Sequence, residues 1–211
     1  MYLSRAERVE DGSVRLIAGS GVLAAYSAIL YPHGLLDPTP TVLGLRTFAT
    51  DTSVGFDAVV PLRSLLDRLA RLQGADLPAG EPVGVRMPLE VSTVTWAGIS
   101  PPRGGWLKVG EVAPGLLQRT ADAGIAEVAE TIPTGTGEQL VQRVRGEVWS
   151  RPIEGLDYVP AGAAFAAVSL GFLGQPDEGE VISVLETGPW TRLSLRRGHV
   201  LVRRAAWSLK G

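Results

Sequence analysis

The chain has 211 residues, of which 45% are hydrophobic and 20% are charged, and its formal net charge is −2. It contains no cysteine and two histidines, His33 and His199, which excludes disulfide bonds, thiolate catalysis and every cysteine-containing metal site. The balanced charge provides no overall attraction to nucleic acid or to anionic lipid. We therefore expect a globular protein with no metal site, no cofactor, no nucleic-acid partner and no membrane partner.

Arginine dominates the basic residues, since only two are lysine, and the chain has no asparagine. Lysine and asparagine have A/T-rich codons, so this bias indicates a GC-rich, bacterial genome. The same bias weakens any inference that each arginine was selected for its chemistry.

One segment, residues 16–30, resembles a membrane anchor in its apolar content. It contains Gly19, Ser20 and Gly21, and it is shorter than the roughly 20 apolar residues that a transmembrane helix needs. The residues before it are not net basic, as those of a signal peptide would be. We therefore expect a soluble, cytoplasmic protein.

Turn signals near the N-terminus predict antiparallel strands. Asp11-Gly12 lies between the stretches SRAERVE and SVRLIA and favours a type I′ hairpin, and Gly19-Ser20 favours a type II′ hairpin. Apolar runs follow at 41–50 and 56–61, after a proline-rich loop at 31–40. This part of the chain therefore predicts an antiparallel β-meander.

Helical periodicity begins at LRSLLDRLARL, residues 62–72, whose leucines form one apolar stripe. Residues 83–99 have the composition of a strand that is interrupted at Pro88. The pattern is helical again from 113 to 150, where TGEQ at 136–139 has the form of a capping box with Thr136 at the cap. Residues 160–173, PAGAAFAAVSLGFL, predict a helix that is buried on all sides.

The chain ends with the apolar run VISVLE and the hairpin TRLSL-RRGH-VLVRR. The predicted fold class is α+β, with an N-terminal antiparallel β-meander packed against several helices and a C-terminal β-hairpin completing the sheet. We expect a single domain over residues 1–211. Two lobes that divide near residues 74–82 are the alternative.

The stretch VRLIAGSGVLAAY, residues 14–26, contains Gly-x-Gly-x-x-Ala, the pattern of a dinucleotide-binding βαβ turn. In such a site Gly19 and Gly21 would be the cofactor-binding residues, and an acid about 20 residues further on would hold the ribose. Here the helix would be short, because Pro32 ends it, and Asp37 lies in the proline-rich loop. We therefore favour an ordinary turn between two strands.

The C-terminal stretch GPWTRLSLRRGHVLVRRAAW is strongly basic, since the residues between Gly188 and Gly211 include no acid. A two-residue turn at Arg197-Gly198 would place Arg192 directly opposite Arg203. Like charges directly opposite each other destabilise a sheet. We therefore expect an anionic group close to these two arginines.

That anionic group is either internal or external, unless both arginines extend into water on an edge strand whose charges prevent further pairing. The internal candidates are carboxylates near the hairpin in sequence or on another predicted strand, namely Asp177, Glu178, Glu180, Glu186 and Glu90. The external candidates are nucleic acid, a phosphate-bearing ligand and an acidic partner.

Tryptophan and arginine occur close together three times, as Trp149-Ser150-Arg151, Trp190-Thr191-Arg192 and Arg103-Gly-Gly-Trp106. An indole and a guanidinium on one face can stack and line a binding surface. A tryptophan at the end of an element also commonly fills the core. The segment SPPRGGW has the most loop-like composition, and binding residues are often located on loops.

The sequence contains no complete catalytic set, because Gly-x-Ser-x-Gly is absent and neither His33 nor His199 has an identifiable partner. We interpret the chain as a non-catalytic binding or interaction protein whose partner is a second copy of itself, an acidic protein or a small anionic ligand. The predicted contact residues are Arg192, Arg196, Arg203, His199, Trp190, Arg103 and Trp106. The alternative is an enzyme or regulator that binds a small phosphorylated or nucleotide ligand through Gly19, Gly21 or Gly137 together with those arginines.

Overall fold

The computed structural model describes residues 2–10, 12–34, 37–73, 83–132, 137–175 and 179–203. The helices in this part of the chain are α1 (Tyr2–Val9), α2 (Leu62–Gln73), α3 (Pro114–Thr131), α4 (Glu138–Ser150) and α5 (Ala161–Ser169), with a 3₁₀ turn at Thr95–Gly98. The strands are β1 (Ser13–Gly19), β2 (Val22–Leu30), β3 (Thr41–Ala49), β4 (Phe56–Pro61), β5 (Leu107–Val112), β6 (Pro152–Ile153), β7 (Leu156–Pro160), β8 (Ile182–Thr187), β9 (Trp190–Leu195) and β10 (Gly198–Arg203).

Eight strands form one antiparallel sheet in the order β4-β1-β2-β3-β10-β9-β8-β5, and β6 pairs with β7. N-terminal antiparallel strands and a C-terminal hairpin therefore share a sheet, which confirms the predicted α+β class. No helix in the described ranges is long and apolar enough to span a bilayer.

The chain divides into two compact units, Met1–Ala28 with Leu45–Ser100, and Ile29–Gly44 with Pro101–Gly211. The first contains α1, β1, β4 and α2, and the second contains α3, α4, α5 and the hairpin β9–β10. Whether these units fold as a single domain stays a prediction.

The β1–β2 hairpin turns at Ser20-Gly21, because Gly19 pairs with Val22. Ser20 and Gly21 have φ angles of 53° and 78°, and positive φ at both central residues is the requirement of a type I′ turn. The predicted hairpin is therefore present, but its turn lies one residue later and is not type II′. Since β1 and β2 are antiparallel, the parallel βαβ topology of a dinucleotide site is absent from this turn, and that interpretation of Gly19 and Gly21 was wrong.

Residues 2–9 are helical, so the predicted hairpin around Asp11-Gly12 was wrong; Asp11 itself lies outside the described residues. Tyr2 and Ala6, one turn apart, are the buried residues of α1. The Tyr2 hydroxyl donates to the Ala25 carbonyl at 3.2 Å and shares a hydrogen bond of 2.8 Å with the Ser27 hydroxyl. Burial of one helix face, with this buried hydrogen bond, outweighs a local β preference.

The leucine stripe does form α2, in which Leu62 and Leu65 are buried. Residues 83–94 are not a strand, which corrects the prediction for residues 83–99. Proline at position 88 has no N–H to donate, and one backbone hydrogen bond, from the Val91 N–H to the Val59 carbonyl at 2.8 Å, reaches β4.

Arg15 forms an ion pair with Asp57 and also hydrogen-bonds to the 3₁₀ turn, which holds the turn against the sheet. Arg15 donates to both carboxylate oxygens of Asp57 at 2.8 and 2.7 Å, and to the Ala97 carbonyl at 2.6 Å. The hydrogen-bonded carboxylate of Asp57 raises the pKa of Arg15. This bidentate contact is the geometry that arginine adopts when the protein supplies its own carboxylate.

The second unit has the predicted helices. All of α5 except Phe165, Val168 and Ser169 is buried, and Val144 and Val148 are buried on α4. The N-cap of α4 is Gly137, which provides no side-chain cap, so the predicted capping box with Thr136 at the cap was wrong; Thr136 itself lies outside the described residues. Helices α3 and α4 both contact α5.

Candidate functional site

The β9–β10 hairpin turns at Arg196-Arg197, since Leu195 pairs with Gly198. Leu201 is therefore opposite Arg192, and Trp190 is opposite Arg203. The predicted direct pairing of Arg192 with Arg203 was wrong, because the turn lies one residue earlier than Arg197-Gly198. Arg203 is instead a diagonal neighbour of Arg192, at a Cβ separation of about 7–8 Å.

The change of register by two residues leaves the same side chains on each face of the hairpin, because side chains alternate with a period of two. One face carries the buried residues Thr191, Leu193, Leu195, Val200 and Val202. The other face carries Arg192, His199 and Arg203, and we call these three residues together with Trp106 the basic face.

Trp106 comes to the basic face from the segment before β5. The Arg192 guanidinium carbon lies 5.3 Å from the centre of the Trp106 ring, within cation–π distance. The indole N–H donates to the Pro102 carbonyl at 3.2 Å, and Gly105, with a φ of 76°, makes the left-handed bend before it. The structure thus brings together two residues that the sequence predicted for one site.

Arg192 makes one further contact, a hydrogen bond of 2.9 Å from its Nε to the Ser194 hydroxyl. Ser194 lies two residues from Arg192 and was therefore predicted on the same face of the hairpin, although not as a contact residue. Among the described residues, no carboxylate forms an ion pair with Arg192. Burial lowers the pKa of Arg192.

Two polar atoms of the basic face are buried without a hydrogen-bond partner in the described part of the chain, namely Nδ1 of His199 and Nε of Arg203. Leu201 and Trp190, on the same face, are 1% and 3% exposed, so this surface is largely desolvated. A buried polar atom without a partner costs about 1–3 kcal/mol. The basic face therefore holds two polar atoms whose hydrogen-bonding capacity is not used by the described residues.

The other predicted contact residues have different surroundings. Arg196 is exposed in the hairpin turn, Arg103 is exposed in the loop, and Trp190 is buried. Trp149 is a core residue, and Arg151 forms an ion pair of 2.7 Å with Glu127.

Glu186 is one of the carboxylates that the sequence offered as internal partners of Arg192 and Arg203. Glu186 accepts a hydrogen bond of 3.3 Å from the Thr191 hydroxyl, on the face opposite the basic face. Asp177 and Glu178 lie outside the described residues. Within the described ranges, no group of three acidic or histidine side chains is arranged to hold a metal ion.

The stability of the protein should decrease as the pH falls from about 6.5 to about 4. Burial, and then the charge of Arg192, lower the pKa of His199 to about 4, whereas an unfolded histidine has a pKa of about 6.5. Between these values the unfolded state binds a proton that the folded state does not, so the full stability is present above about pH 6.5 and is lost below it. Full burial would make this loss about 3 kcal/mol, and partial exposure of the ring reduces it to about 1–2 kcal/mol.

Urea unfolding at pH 7.5 and pH 4.5 measures this effect. We expect wild-type protein to lose about 1–2 kcal/mol more than His199→Gln over that interval. His33→Gln, at an exposed position, is the matched control and should behave like the wild type. Equal pH dependence in the wild type and in His199→Gln would contradict the prediction.

Two protein-family models match the sequence. The model described as Domain of unknown function (DUF8185) matches residues 101–207, which is half of the chain, and the model described as Domain of unknown function (DUF8010) matches residues 1–88. Among curated proteins, none matches.

Several solved structures have a similar fold. A DnaN sliding clamp (DNA polymerase III subunit beta) from Bartonella birtlesii, crystallised with griselimycin, aligns with a TM-score of 0.52 at 12% identity over 99% of this chain. The pol III beta of Caulobacter crescentus aligns with a TM-score of 0.50 at 12% identity over 98%. This chain spans 63% of the length of each of those clamp chains. At this identity the similarity concerns the fold alone.

Proposed function

We propose that this chain, which belongs to the family described as Domain of unknown function (DUF8185), is a non-catalytic interaction protein that binds an anionic group of its partner on the basic face. The observation that carries the proposal is the half-buried guanidinium of Arg192, which contacts Trp106 and Ser194 and forms no ion pair among the described residues. A guanidinium is protonated at every physiological pH and carries five N–H donors. A carboxylate or phosphate oxygen is the acceptor that its remaining N–H groups would bind.

The contrast with other arginines supports this role. Arg15 and Arg151 contact carboxylates of the protein at 2.7 Å. Arg192 instead contacts an indole ring and a hydroxyl. A guanidinium that is fixed by neutral neighbours retains N–H groups for an external acceptor.

The surroundings of His199 favour binding rather than catalysis. A catalytic histidine is commonly oriented by a carboxylate on its second nitrogen. The charged neighbour that affects His199 is Arg192, and a cation beside the ring opposes protonation. A neutral imidazole beside an arginine can hydrogen-bond to an anion through its ring N–H.

The partner class includes an acidic protein, a second copy of this chain and a small anionic ligand. Net charge alone led us to expect no nucleic-acid partner, and we do not retain that expectation, because the similar folds belong to sliding clamps of DNA polymerase. A nucleic-acid phosphate is one further form of the proposed anion. We place the interaction in the bacterial cytoplasm.

A panel of anions, tested by their effect on thermal unfolding, examines the proposal. The probes are pyrophosphate, polyglutamate and duplex DNA at low ionic strength, with sodium chloride as the control for ionic strength. A ligand at about 100 times its Kd stabilises the folded state by about 2.7 kcal/mol. We expect at least one probe to raise the melting temperature of the wild type and to have little effect on Arg192→Gln and Arg203→Gln.

Arg119→Gln is the matched control, because Arg119 is an exposed arginine on α3 of the same unit. It should respond to the anion as the wild type does. The proposal is wrong if no probe stabilises the wild type, or if Arg119→Gln loses as much of the response as Arg192→Gln. Native mass spectrometry of the protein from its own host would then report the oligomeric state and the mass of any retained ligand.

A further inference from the structure

The first unit contains a cavity of about 540 Å³, between α1, α2 and the end of β3. This volume lies within the range of sites that bind small molecules, about 300–1,000 Å³. Its lining is partly apolar and partly charged. It is distinct from the basic face, whose residues all belong to the second unit.

The buried Tyr2 fixes one wall of the cavity. Its hydroxyl is already committed to the Ala25 carbonyl and the Ser27 hydroxyl, and burial raises its pKa. These bonds anchor α1 on β2. Tyr2 therefore contributes its ring to the cavity, and its polar atom is occupied.

The apolar part of the cavity comes from both helices. Leu3 on α1 and Leu66 and Leu69 on α2 line it and are half-buried. Phe48, at the end of β3, also lines it and is 38% exposed. Large apolar side chains that remain accessible around a concavity are typical of a binding site rather than of a core.

The polar part of the cavity centres on Arg46. Its guanidinium carbon lies 5.5 Å from the centre of the Phe48 ring, and its charge acts on the buried Tyr2. Arg46 is half-buried, and within the described residues no carboxylate forms an ion pair with it. The stacked guanidinium is thus held at the cavity with N–H groups that donate to no carboxylate among the described residues.

Three more charged residues line the cavity, namely Glu7, Arg63 and Asp67. Arg63 and Asp67 are exposed and one turn apart on α2, so solvent screens them and their charges largely offset each other. Glu7, on α1, is half-buried, so the four charged residues of the lining have no net charge, and Arg46 is distinguished by its stacked guanidinium.

We infer that this cavity binds a small amphipathic carboxylate, whose apolar chain lies against the leucines while its carboxylate accepts hydrogen bonds from Arg46. A guanidinium binds a carboxylate through two parallel N–H···O bonds. Phe48 positions the guanidinium by stacking, and the leucines exclude water from the chain of the ligand. The headgroup and the apolar chain each match one part of the lining.

Octanoate tests this inference, and n-octanol serves as the neutral probe of equal chain length. Titration of the ¹⁵N-labelled full chain with octanoate should give saturable amide shifts concentrated in α1, α2 and the end of β3. Arg46→Gln should weaken octanoate binding about tenfold or more. Octanol should bind the wild type more weakly than octanoate and should be insensitive to Arg46→Gln.

Arg71→Gln is the matched control, because Arg71 is an exposed arginine on α2 and is not part of the cavity lining. It should bind octanoate within about twofold of the wild type. Arg46→Lys, which keeps the charge but not the two parallel N–H groups, should bind octanoate more weakly than the wild type and more tightly than Arg46→Gln, and it covers the case in which Arg46→Gln does not fold. The inference is overturned if octanoate gives no saturable shifts, if the shifts lie elsewhere, if octanol binds equally well, or if Arg46→Gln and Arg71→Gln behave alike.

Discussion

Replacing Trp149 with alanine should lower the free energy of unfolding by about 3–5 kcal/mol. Trp149 is 2% exposed, and its ring stacks on Phe165 of α5 with centroids 4.4 Å apart and planes tilted by 20°. On its other side it lies so close to Gly124 of α3 that a Cβ at that position would be 2.3 Å from the ring. The indole thus fills the space where three helices meet, and its removal would leave a large cavity.

Urea denaturation measures this loss, with Trp106→Ala as the control. Trp106 is only half-buried, so its removal should cost about 1 kcal/mol and should leave the helices unaffected. If Trp149→Ala costs no more than Trp106→Ala, the helix junction does not depend on the indole in the way we describe. A changed slope of the unfolding transition would indicate that the native state itself has loosened.

Helices with a single dominant pattern could be predicted from the sequence. The leucine stripe of α2 is stabilised when it packs against an apolar surface, and the apolar face of a sheet is such a surface. The alanine-rich α5 is apolar on all sides, so its burial follows from composition alone. In both cases one property of the segment decides the outcome.

The N-terminal helix and the segment after α2 could not be predicted, because their conformation depends on distant partners. Local preference at Asp11-Gly12 favours a hairpin, but Tyr2 forms buried hydrogen bonds with Ala25 and Ser27, more than twenty residues away. Residues 83–94 have strand-like composition, yet a strand also needs a ladder of hydrogen bonds. Sequence patterns report local preference and not the availability of a partner.

The basic face was predictable in composition but not in contacts. Side chains alternate between the two faces of β9 and β10. A shift of the pairing by two residues therefore keeps Arg192, His199 and Arg203 on one face. The stacking of Trp106 on Arg192 joins two segments that are far apart in the sequence. The segment SPPRGGW was singled out for its loop-like composition, and its partner became known only from the fold.

Gly198 explains why the hairpin register was mispredicted. The turn considered from the sequence was Arg197-Gly198, and glycine is common in such turns because type I′ turns need positive φ. In the structure the turn residues are Arg196 and Arg197, and neither has a positive φ. Among the described residues, the non-glycine residue with a positive φ is Ser20. Gly198 is instead required for space, because a Cβ there would lie 2.6–2.8 Å from three ring carbons of Phe172.

Gly198→Ala should therefore destabilise the protein by about 1–3 kcal/mol, although alanine suits a strand better than glycine does. Phe172 cannot easily move, because it is completely buried and its N–H donates to the Ala167 carbonyl at 2.9 Å, beyond the left-handed Gly171. This Schellman-type ending of α5 fixes the ring over the hairpin.

The comparison that isolates the space requirement is Gly110→Ala on β5, where the added Cβ would lie 4.0 Å from the nearest atom outside its immediate neighbours. We expect that change to alter stability by less than about 0.5 kcal/mol. In a Phe172→Leu background, Gly198→Ala should cost less than in the wild type, because the two residues share one space and their effects are not additive. If the cost of Gly198→Ala is the same in both backgrounds, the ring is not the obstacle.

Because His199 follows Gly198 directly, a shift of the backbone at Gly198 should also weaken the anion response of the basic face, whereas Gly110→Ala should leave it intact.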